Sequence, residues 1–300
     1  MHDSLNSVLN RNDVTLKRFS HIRIGETVDY LLFPKSEFEM MQCFEFSNSI
    51  NREIYLLGGG SNTLFGDEIA QLVVSDRLMP KNYILNMQNN TIEVSSNLNI
   101  NWLINYLLAK GYGGLEFLYG IPANIGGLIK MNAGAYNKSI CDNTLQVSVI
   151  DRSGRTEFVN TKYLPVKENL PLKYEYRKSN VRGYVQTVLL KIQKKAVSEI
   201  KKELKAHLSK RLLTQPMNLP NLGSVFKNPQ GESVWKLLDD CQLRGERSGD
   251  AEFSRKHCNF IVNLGNATFK NVYSLIETAK ERVKDKYNII LETEIKVVGK

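Results

Sequence analysis

Two glycine-rich turns are the clearest anion-binding candidates in the sequence. The first is Gly58-Gly59-Gly60-Ser61-Asn62, which directly follows the apolar run Ile54–Leu57. Consecutive glycines let backbone N–H groups approach an anion closely and adopt positive φ without steric cost. The turn is not a P-loop, because no Gly-Lys-Ser/Thr follows it, and it does not match GxGxxG. Taken alone, it is as consistent with a tight turn as with a phosphate-binding turn.

The second turn is Gly120-Ile121-Pro122-Ala123-Asn124-Ile125-Gly126-Gly127. Two such turns can contact opposite sides of one elongated diphosphate, and a dinucleotide such as FAD is long enough to need both. Asn132, Gly134 and Tyr136 extend the same predicted surface. The structural alternative is a set of glycine bends in a strongly curved sheet.

The segment Gly223–Pro229 combines a hydroxyl, an ammonium group and an amide in one short stretch. No histidine stands near Ser224 in a hydrolase pattern, and no G-x-S-x-G elbow surrounds it. A serine in this setting can donate a proton to a carbanion if a neighbouring cation lowers the cost of its alkoxide. Lys227 is placed to supply that cation. The alternative is a polar turn between a strand and a loop.

Two charged segments suit a carboxylate substrate. Tyr174–Ser179 places Arg177 among aromatic residues, and a guanidinium is well suited to bind a carboxylate in a bidentate manner. The alternative there is a surface salt bridge. Strand alternation over Leu291–Lys296 is expected to place Glu292 and Glu294 on one face, where their repulsion favours one of them as an acid. Alternation does not say which, and an exposed strand face explains the pattern equally well.

The elements that position these residues alternate short apolar runs with turns. Helices are predicted from Asn99 to Lys110, ended by Gly111, along the lysine-rich stretch Lys191–Arg211, around Val234–Cys241, and after a cap at Thr268. A hairpin turn is predicted at Asp151–Gly154. The predicted strands are Ile54–Leu57, Leu72–Val74, Ile92–Val94, Leu145–Ile150, Thr156–Val159, Tyr184–Ile192, Phe260–Val262 and Ile289–Val298.

The bulk composition is that of a globular enzyme. The 300 residues, 42% of them hydrophobic and 24% charged, exceed the usual size of one core, so two or three domains are expected. No stretch approaches the roughly 20 apolar residues that span a bilayer. Met1–Asn12 lacks the apolar core of a signal peptide. We therefore expect a cytoplasmic location and no membrane partner.

The cysteine pattern and the net charge further limit the classes of ligand and partner that we expect. The cysteines form no CxxC pair, so reduced thiols and no metal site are expected. A net charge of +9 suits small phosphorylated ligands or a polyanion. The lysines between Lys191 and Arg211 nevertheless occupy the solvated face of an amphipathic helix, and no nucleic-acid-binding signature is present. Nucleic acid is therefore not an expected partner. The four cysteines are Cys43, Cys141, Cys241 and Cys258.

Taken together, the motifs resemble the UDP-N-acetylenolpyruvoylglucosamine reductase (MurB) family of peptidoglycan synthesis. The resemblance extends from about His21 to Gly299. Any one match is weak, but six or more in the family's order are specific. The matching segments are Arg23-Ile24-Gly25, Leu57–Asn62, Gly120–Gly127, Met131–Tyr136, Tyr176–Ser179, Gly223–Pro229, His257–Asn263, Ala267-Thr268 and Leu291–Ile295.

The resemblance implies an α+β fold: an FAD-binding fold of the vanillyl-alcohol-oxidase (PCMH) type in two subdomains, then a C-terminal α/β substrate-binding domain. We place these at residues 1–75, 76–195 and 196–300. The implied activity is that of an FAD- and NADPH-dependent UDP-N-acetylmuramate dehydrogenase, in which NADPH and the UDP-sugar use the same cleft in turn. The implied FAD contacts are Gly58, Gly59, Gly60, Ser61, Asn62, Gly120, Ile121, Pro122, Ile125, Gly126, Gly127 and Gly134.

The resemblance also implies catalytic and substrate-binding residues. Arg177 matches the arginine of YRxS and, with Glu294, would bind the enolpyruvyl carboxylate and stabilise the enolate. Ser224 matches the serine that protonates the α carbon. Glu294 is chosen over Glu292 because the family keeps the second acid. The implied substrate contacts are Lys227, Asn228 and Tyr176.

Some positions depart from the family pattern. Glu26 and Ala123 stand where glycine is usual, close to the implied flavin site. The 47 positions between Arg177 and Ser224 match the shorter type of the family, which lacks a tyrosine-bearing loop. Lys210 or Arg211 is a candidate diphosphate partner in its place. A monomer is expected. Two alternatives stay open: another FAD-dependent oxidoreductase on the same scaffold, and a non-catalytic binder of nucleotides or RNA.

Overall fold

The structure, a computed structural model, describes residues 9–10, 15–150, 156–160 and 173–299. Its helices are α1 Glu37–Ser49, α2 Ile100–Ala109, α3 Ile125–Lys130, α4 Val197–Thr214, α5 Val234–Asp240 and α6 Phe269–Tyr287. Its strands are β1 Leu9–Asn10, β2 Leu31–Leu32, β3 Ile54–Leu57, β4 Thr63–Phe65, β5 Leu72–Ser75, β6 Tyr83–Asn86, β7 Thr91–Ser95, β8 Tyr112–Gly113, β9 Gly134–Ala135, β10 Lys138–Ser139, β11 Thr144–Ile150, β12 Thr156–Asn160, β13 Tyr174–Glu175, β14 Lys178–Ser179, β15 Tyr184–Lys191, β16 Gln193–Lys194, β17 Asn221–Ser224, β18 Arg247–Ser248, β19 Ala251–Phe253, β20 Phe260–Asn263 and β21 Lys296–Val298.

The chain forms two compact units, and each is made of discontinuous segments. The division falls within helix α4, and the first glycine-rich turn contributes residues to both units. The domain boundaries at 75 and 195 stay a prediction. The first unit is Met1–Asn10, Tyr30–Gly59 and Gln71–Ser209, and the second is Arg11–Asp29, Gly60–Ala70 and Lys210–Lys300.

The first unit begins with a small sheet in the order β1-β2-β5-β3, in which β2, β5 and β3 run parallel. Every residue of β5 is buried, as is usual for a parallel strand covered on both faces. Helix α1 starts at the N-cap Ser36, whose side chain accepts from the Glu39 N–H. It buries Met40, Cys43 and Phe44 against this sheet.

A five-stranded antiparallel sheet completes the first unit in the order β12-β11-β15-β7-β6. Helix α2 packs its apolar stripe into the same core as β7, β11 and β15. Asn99 caps this helix, and Gly111 follows its end in the left-handed region with φ +72°, as predicted. The predicted strands of this region are confirmed. The predicted turn Asp151–Gly154 lies outside the described residues.

Asp76 directly follows the parallel strand β5 and is a buried acid in the first unit. Burial raises the pKa of its carboxyl to about 6, although the Ser96 hydroxyl and the charges of Lys81 and Lys130 favour the ionised form. Its Oδ1 accepts no hydrogen bond from the described residues. The folded state therefore resists ionisation of this group.

This burial makes stability depend on pH. Because the folded pKa lies above the unfolded value, Asp76 lowers the free energy of unfolding as pH rises through the interval from about pH 4 to about pH 6. Asp76→Asn should raise that free energy by about 1–3 kcal/mol at about pH 8, with little change at about pH 4. Urea unfolding of both proteins at the two pH values checks this. A variant no more stable at the higher pH would contradict it.

The second unit packs a sheet in the order β17-β20-β19-β18 against helices α5 and α6. Thr268 caps α6 in a capping box with Asn271, as its position predicted. The helix ends at Asn288, which is left-handed with φ 55°. Strands β4 and β21 form a separate parallel pair in this unit.

The predicted closing strand, Ile289–Val298, is wrong over most of its length. Only β21 is a strand, and Glu294 and Ile295 form a bend. The segment first forms an antiparallel bridge between Thr293 and Phe226, and Lys296 then begins the parallel pairing with β4. A change from antiparallel to parallel partners requires this bend, so simple alternation does not place Glu292 and Glu294 on one strand face.

Candidate active site

The first glycine-rich turn contains glycines of two kinds. Gly60 has φ +69°, and a Cβ added to it would overlap the carbonyl oxygen of Phe19, so the fold itself requires glycine there. His21 N–H also donates to the Gly60 carbonyl over 3.0 Å. Gly58 is exposed, and a Cβ added to it would meet nothing within 4 Å. Packing within the described residues therefore does not explain a glycine at position 58.

The two glycine-rich turns lie against each other in the first unit. A Cβ added to Gly59 would stand 3.7 Å from the backbone nitrogen of Asn124 and from the carbonyl oxygen of Pro122. In the second turn, a Cβ added to Gly126 would press on Ser96 Cβ at 2.9 Å, so that glycine serves helix packing. Gly127 is exposed and has open space where a Cβ would stand.

The departure at Ala123 is accommodated without strain. Ala123 is 9% exposed and its φ is not positive, so the conformation does not demand glycine. Its carbonyl accepts from the Ile100 N–H at the start of helix α2. The other departure, Glu26, lies on the surface. Neither residue disturbs the described backbone.

Asn101 fixes the start of the second turn, and sequence reasoning missed it. Its Oδ1 accepts from the Gly120 N–H at 2.7 Å, and its Nδ2 donates to the Ile121 carbonyl at 2.9 Å. Asn101 lies in the first turn of helix α2, so this helix holds the start of the second glycine-rich turn in position. The only sequence signal was an asparagine two residues after the Asn99 cap.

A buried ion cluster holds the segment before the same turn. Glu116 is 4% exposed, and its Oε2 accepts from the Gly114 N–H at 2.8 Å. Lys195 Nζ lies 3.4 Å from Glu116 Oε1 and 2.6 Å from Glu203 Oε1. Burial of one carboxylate strengthens such a cluster relative to a surface pair. It joins Glu116 to the start of helix α4.

Arg177 lies at the turn of the hairpin β13–β14, with φ 56°. Its Nη2 donates to the Gly134 carbonyl at 3.0 Å, and its Cζ lies 5.0 Å from the centre of the Tyr176 ring. A salt bridge in this hairpin joins Lys178 to Glu175 at 3.7 Å. Arg177 is therefore oriented by a ring and a carbonyl next to the second glycine-rich region.

Ser224 ends strand β17 beside a break in pairing register. Gly223, with φ +78°, precedes it, and the Gly223 N–H donates to Asn221 Oδ1 at 2.9 Å. Ser224 pairs with Phe260 of β20 after the irregularity that begins at Asn221. The left-handed glycine and the irregularity together set the direction in which the Ser224 hydroxyl leaves the strand.

Glu294 joins the Ser224 segment through the backbone. The Glu294 N–H donates to the Val225 carbonyl at 2.7 Å, and Asn62 Nδ2 donates to the Glu294 carbonyl at 3.2 Å. Ser224, Glu294 and Asn62 therefore belong to one connected part of the second unit, although they are far apart along the chain. Arg177 belongs to the first unit.

The two acids of the final segment have different surroundings. Glu292 has a side chain 73% exposed and forms a salt bridge with Lys227, Nζ to Oε2 2.9 Å. Glu294 is half-buried. Lys227 thus has a carboxylate partner of its own, which reduces the net positive charge it can offer to an alkoxide at Ser224.

The remaining residues predicted to contact the substrate are Asn228, Tyr176 and the two candidate diphosphate partners. Asn228 Oδ1 accepts from the Val234 N–H at the start of helix α5, so its amide donors alone are left for a ligand. Tyr176 is 52% exposed. Of the two candidate diphosphate partners, Lys210 is exposed and Arg211 is 7% exposed.

The described residues contain no group of three or more His, Cys, Asp or Glu side chains arranged to hold a metal ion. Burial lowers the pKa of His257 and raises the pKa of Cys258 to about 12, so both are neutral near pH 7. Among the helices described, none has the length and apolar character needed to cross a membrane.

Comparison with known proteins identifies two domains in the expected order. The FAD binding domain model matches residues 28–160, and the model for the C-terminal domain of UDP-N-acetylenolpyruvoylglucosamine reductase matches residues 215–298. These matches confirm the predicted fold class, an FAD-binding fold followed by a reductase C-terminal domain, and they support FAD as the cofactor.

Full-length relatives carry the name of one enzyme. The chain is 33% identical over 305 residues to the UDP-N-acetylenolpyruvoylglucosamine reductase of Clostridium novyi, covering 100% of this chain and 96% of that protein. It is 36% identical over 287 residues to the enzyme of Moorella thermoacetica, covering 95% and 91%. A crystal structure of the reductase from Thermus caldophilus matches with a TM-score of 0.81 and 30% identity, covering 97% of this chain and 98% of that one. The chain belongs to the UDP-N-acetylenolpyruvoylglucosamine reductase family.

Proposed function

We propose that the protein reduces the enolpyruvyl ether of UDP-N-acetylglucosamine to UDP-N-acetylmuramate, using FAD and NADPH, in peptidoglycan synthesis. The observation that carries this proposal is the match of the chain, over its whole length, to reductases of this family. The hydrogen bond from the Glu294 N–H to the Val225 carbonyl supports the proposed site, because it joins the acid segment to the residue that follows a candidate proton donor, Ser224. This role serves cell-wall biogenesis, and through it cell shape and division. A cytoplasmic location and a monomeric state are part of the proposal.

The glycine-rich turns fit a dinucleotide cofactor. A Cβ added to Gly58 or to Gly127 would meet nothing within 4 Å, and a Cβ added to Gly59 would lie against the Pro122–Asn124 segment. Backbone N–H groups at such turns bind a diphosphate closely only when no side chain intervenes. We assign the FAD diphosphate to these turns, with Ser61 and Asn62 alongside.

Gly127→Ala separates cofactor binding from folding. The added methyl meets open space in helix α3, and alanine is favoured over glycine in a helix by about 1 kcal/mol. The variant should therefore keep or slightly raise the melting temperature of the flavin-free protein while weakening FAD binding at least about tenfold, which corresponds to ~1.4 kcal/mol. Calorimetry and flavin titration measure the two effects.

The matched control for this substitution is Lys130→Ala at the last position of the same helix. It should leave FAD affinity close to that of the unsubstituted protein. A Gly127→Ala protein that binds FAD as tightly as the unsubstituted protein would remove these turns from the proposed cofactor site.

The reaction adds a hydride and a proton across the enolpyruvyl double bond. FAD held at these turns, once reduced by NADPH with formation of NADP⁺, would supply the hydride for the β carbon. The α carbon then carries the developing negative charge, shared with the adjacent carboxylate. The product is a lactyl ether, so the carbon–carbon double bond is reduced and no group leaves.

Residues of the protein stabilise the negative charge of the enolate and supply the proton in this scheme. Arg177, oriented by Tyr176 and by the Gly134 carbonyl, binds the carboxylate and stabilises the enolate. Glu294 acts with Arg177 at that carboxylate. The Ser224 hydroxyl gives its proton to the α carbon. Because Lys227 pairs with Glu292, its assigned part is binding of the UDP-sugar together with Asn228 and Tyr176.

A steady-state assay tests the proposed activity. Holoenzyme mixed with NADPH should consume it only when the UDP-enolpyruvyl sugar is present, and UDP-N-acetylmuramate should accumulate in equal amount. The alternative is another FAD-dependent oxidoreductase on this scaffold. Flavin-containing protein that oxidises NADPH equally well with and without the UDP-sugar would favour that alternative and overturn the proposal.

A further inference from the structure

The Asn259 side chain bonds to the backbone beside the candidate proton donor; it lies in the matching segment His257–Asn263, but the sequence assigned it no role. Asn259 is 4% exposed. Its Oδ1 accepts from the Phe226 N–H at 2.9 Å, and its Nδ2 donates to the Phe226 carbonyl at 2.9 Å. Its own carbonyl accepts from the Val225 N–H at 2.9 Å. Three hydrogen bonds thus fix the two residues that follow Ser224.

An asparagine is needed there because the sheet ends. Strand β20 begins at Phe260, which pairs with Ser224, and the residues before it turn away. Phe226, which is 1% exposed, therefore has no strand partner on that side. An amide side chain offers a donor and an acceptor in one plane, as a peptide group does. Without it, the buried N–H and carbonyl groups of Phe226 would lose these hydrogen-bond partners, which is unfavourable inside a protein.

The opposite side of the same short segment carries Glu294. The Val225 carbonyl accepts from the Glu294 N–H at 2.7 Å, and the Lys227 N–H donates to the Glu292 carbonyl at 2.9 Å. The segment is held on one side by Asn259 and on the other by the acid segment. Among the described residues, these backbone hydrogen bonds and the pair with Phe260 hold Ser224, which follows the left-handed Gly223.

We infer that Asn259 is a positioning residue for proton transfer: its side-chain amide fixes the Phe226 backbone, two residues after Ser224, and so sets the distance between the Ser224 hydroxyl and the carbon it protonates. The inference rests on the proposed function. Misplacement of a reacting group by about 1 Å can cost about 100-fold in rate. The effect is confined to the step in which the UDP-sugar is reduced, because reduction of the enzyme by NADPH needs no proton from Ser224.

The chain offers a matched control for a purely structural role. Asn263, at the far end of the same strand, is 3% exposed. Its Nδ2 donates to the Ile22 carbonyl at 2.9 Å, and its Oδ1 accepts from the N–H groups of Gly265 and Ala267. Asn263 is as deeply buried as Asn259, and its side chain makes three hydrogen bonds where that of Asn259 makes two. It is not adjacent to Ser224 in the sheet.

The experiment measures the two half-reactions of the holoenzyme separately in rapid-mixing runs. Asn259→Ala should slow re-oxidation by the UDP-enolpyruvyl sugar about 100-fold and enlarge its solvent deuterium isotope effect. Reduction by NADPH should stay within about twofold of the unsubstituted enzyme, since the substitution leaves that step's groups in place. Asn259→Asp, which keeps the shape and the acceptor, should be intermediate. Asn263→Ala should leave both half-reactions unchanged in the folded fraction.

A second readout does not depend on turnover. Amide hydrogen exchange at Phe226 should be slow in the unsubstituted protein and in Asn263→Ala, and fast in Asn259→Ala or, if that variant does not fold, in Asn259→Leu, which is similar in size and also removes the acceptor for the Phe226 N–H. Slowed re-oxidation of the same size in the Asn259 and Asn263 variants, or an unchanged isotope effect, would overturn the positioning role. If the unsubstituted enzyme is not re-oxidised by the UDP-sugar at all, the proposed function fails first and the inference falls with it.

Discussion

Ser224→Ala should slow re-oxidation of the reduced enzyme by the UDP-enolpyruvyl sugar by about 10²–10⁴-fold, the usual contribution of a general acid. The substitution removes only the hydroxyl, while the backbone of β17 stays held by Gly223, Phe260 and the Val225 bonds. Reduction by NADPH and flavin binding should stay unchanged, because neither requires that proton. Rapid-mixing measurement of each half-reaction separates the two steps.

Ser233→Ala is the control for this prediction. Ser233 is a half-buried serine of the same unit at the start of helix α5, and its side chain makes no capping hydrogen bond. It should be re-oxidised at the rate of the unsubstituted enzyme. If Ser224→Ala is also re-oxidised at that rate, Ser224 is not the proton donor, and another group must protonate the α carbon.

Arg177→Lys should lower kcat/KM for the UDP-enolpyruvyl sugar by about 10²–10³-fold, the effect of removing one donor from a site that stabilises developing charge. Lysine keeps the positive charge but loses the planar fork that binds a carboxylate in a bidentate manner. It also loses the arrangement in which Nη2 donates to the Gly134 carbonyl while the guanidinium lies over Tyr176.

Binding measurements assign this effect to the carboxylate. Affinity for UDP-N-acetylglucosamine, which lacks the enolpyruvyl carboxylate, should be unchanged in Arg177→Lys, whereas affinity for the enolpyruvyl sugar should fall. Lys178→Ala, in the same hairpin, should change neither, because the Lys178 side chain is 66% exposed and pairs only with Glu175. Equal losses of affinity for both sugars would mean that Arg177 supports the hairpin and does not bind the carboxylate.

Much of the fold follows from local sequence signals. Helix α2 and the Gly111 that ends it, helix α6 and its cap at Thr268, and strands β3 and β5 lie where periodicity and capping residues predicted them, although β3 is half-buried over three of its four residues. These signals depend on neighbours within one helical turn or one strand, so they are readable in order along the chain. The prediction of the closing strand was wrong because this segment pairs first with Phe226 and then with β4, and both partners are far away in the sequence.

The site was predictable in part for the same reason. The two glycine-rich turns stood out by composition, and the structure places Gly59 against the second turn. Composition did not distinguish Gly58 and Gly127, whose Cβ positions are open, from Gly60 and Gly126, which the fold itself requires. Asn101 was missed, and Asn259 was given no role although it lies in the matching segment His257–Asn263, because an asparagine whose amide replaces a missing backbone partner has no local sequence signature.

The central claim is tested most directly by a single turnover without oxygen. Holoenzyme reduced by one equivalent of NADPH is mixed with one equivalent of the UDP-enolpyruvyl sugar, and flavin absorbance and product are followed together. The account predicts that the oxidised flavin spectrum returns as one equivalent of UDP-N-acetylmuramate forms. A flavin that stays reduced in the presence of the sugar, yet is re-oxidised when oxygen is admitted, would contradict it.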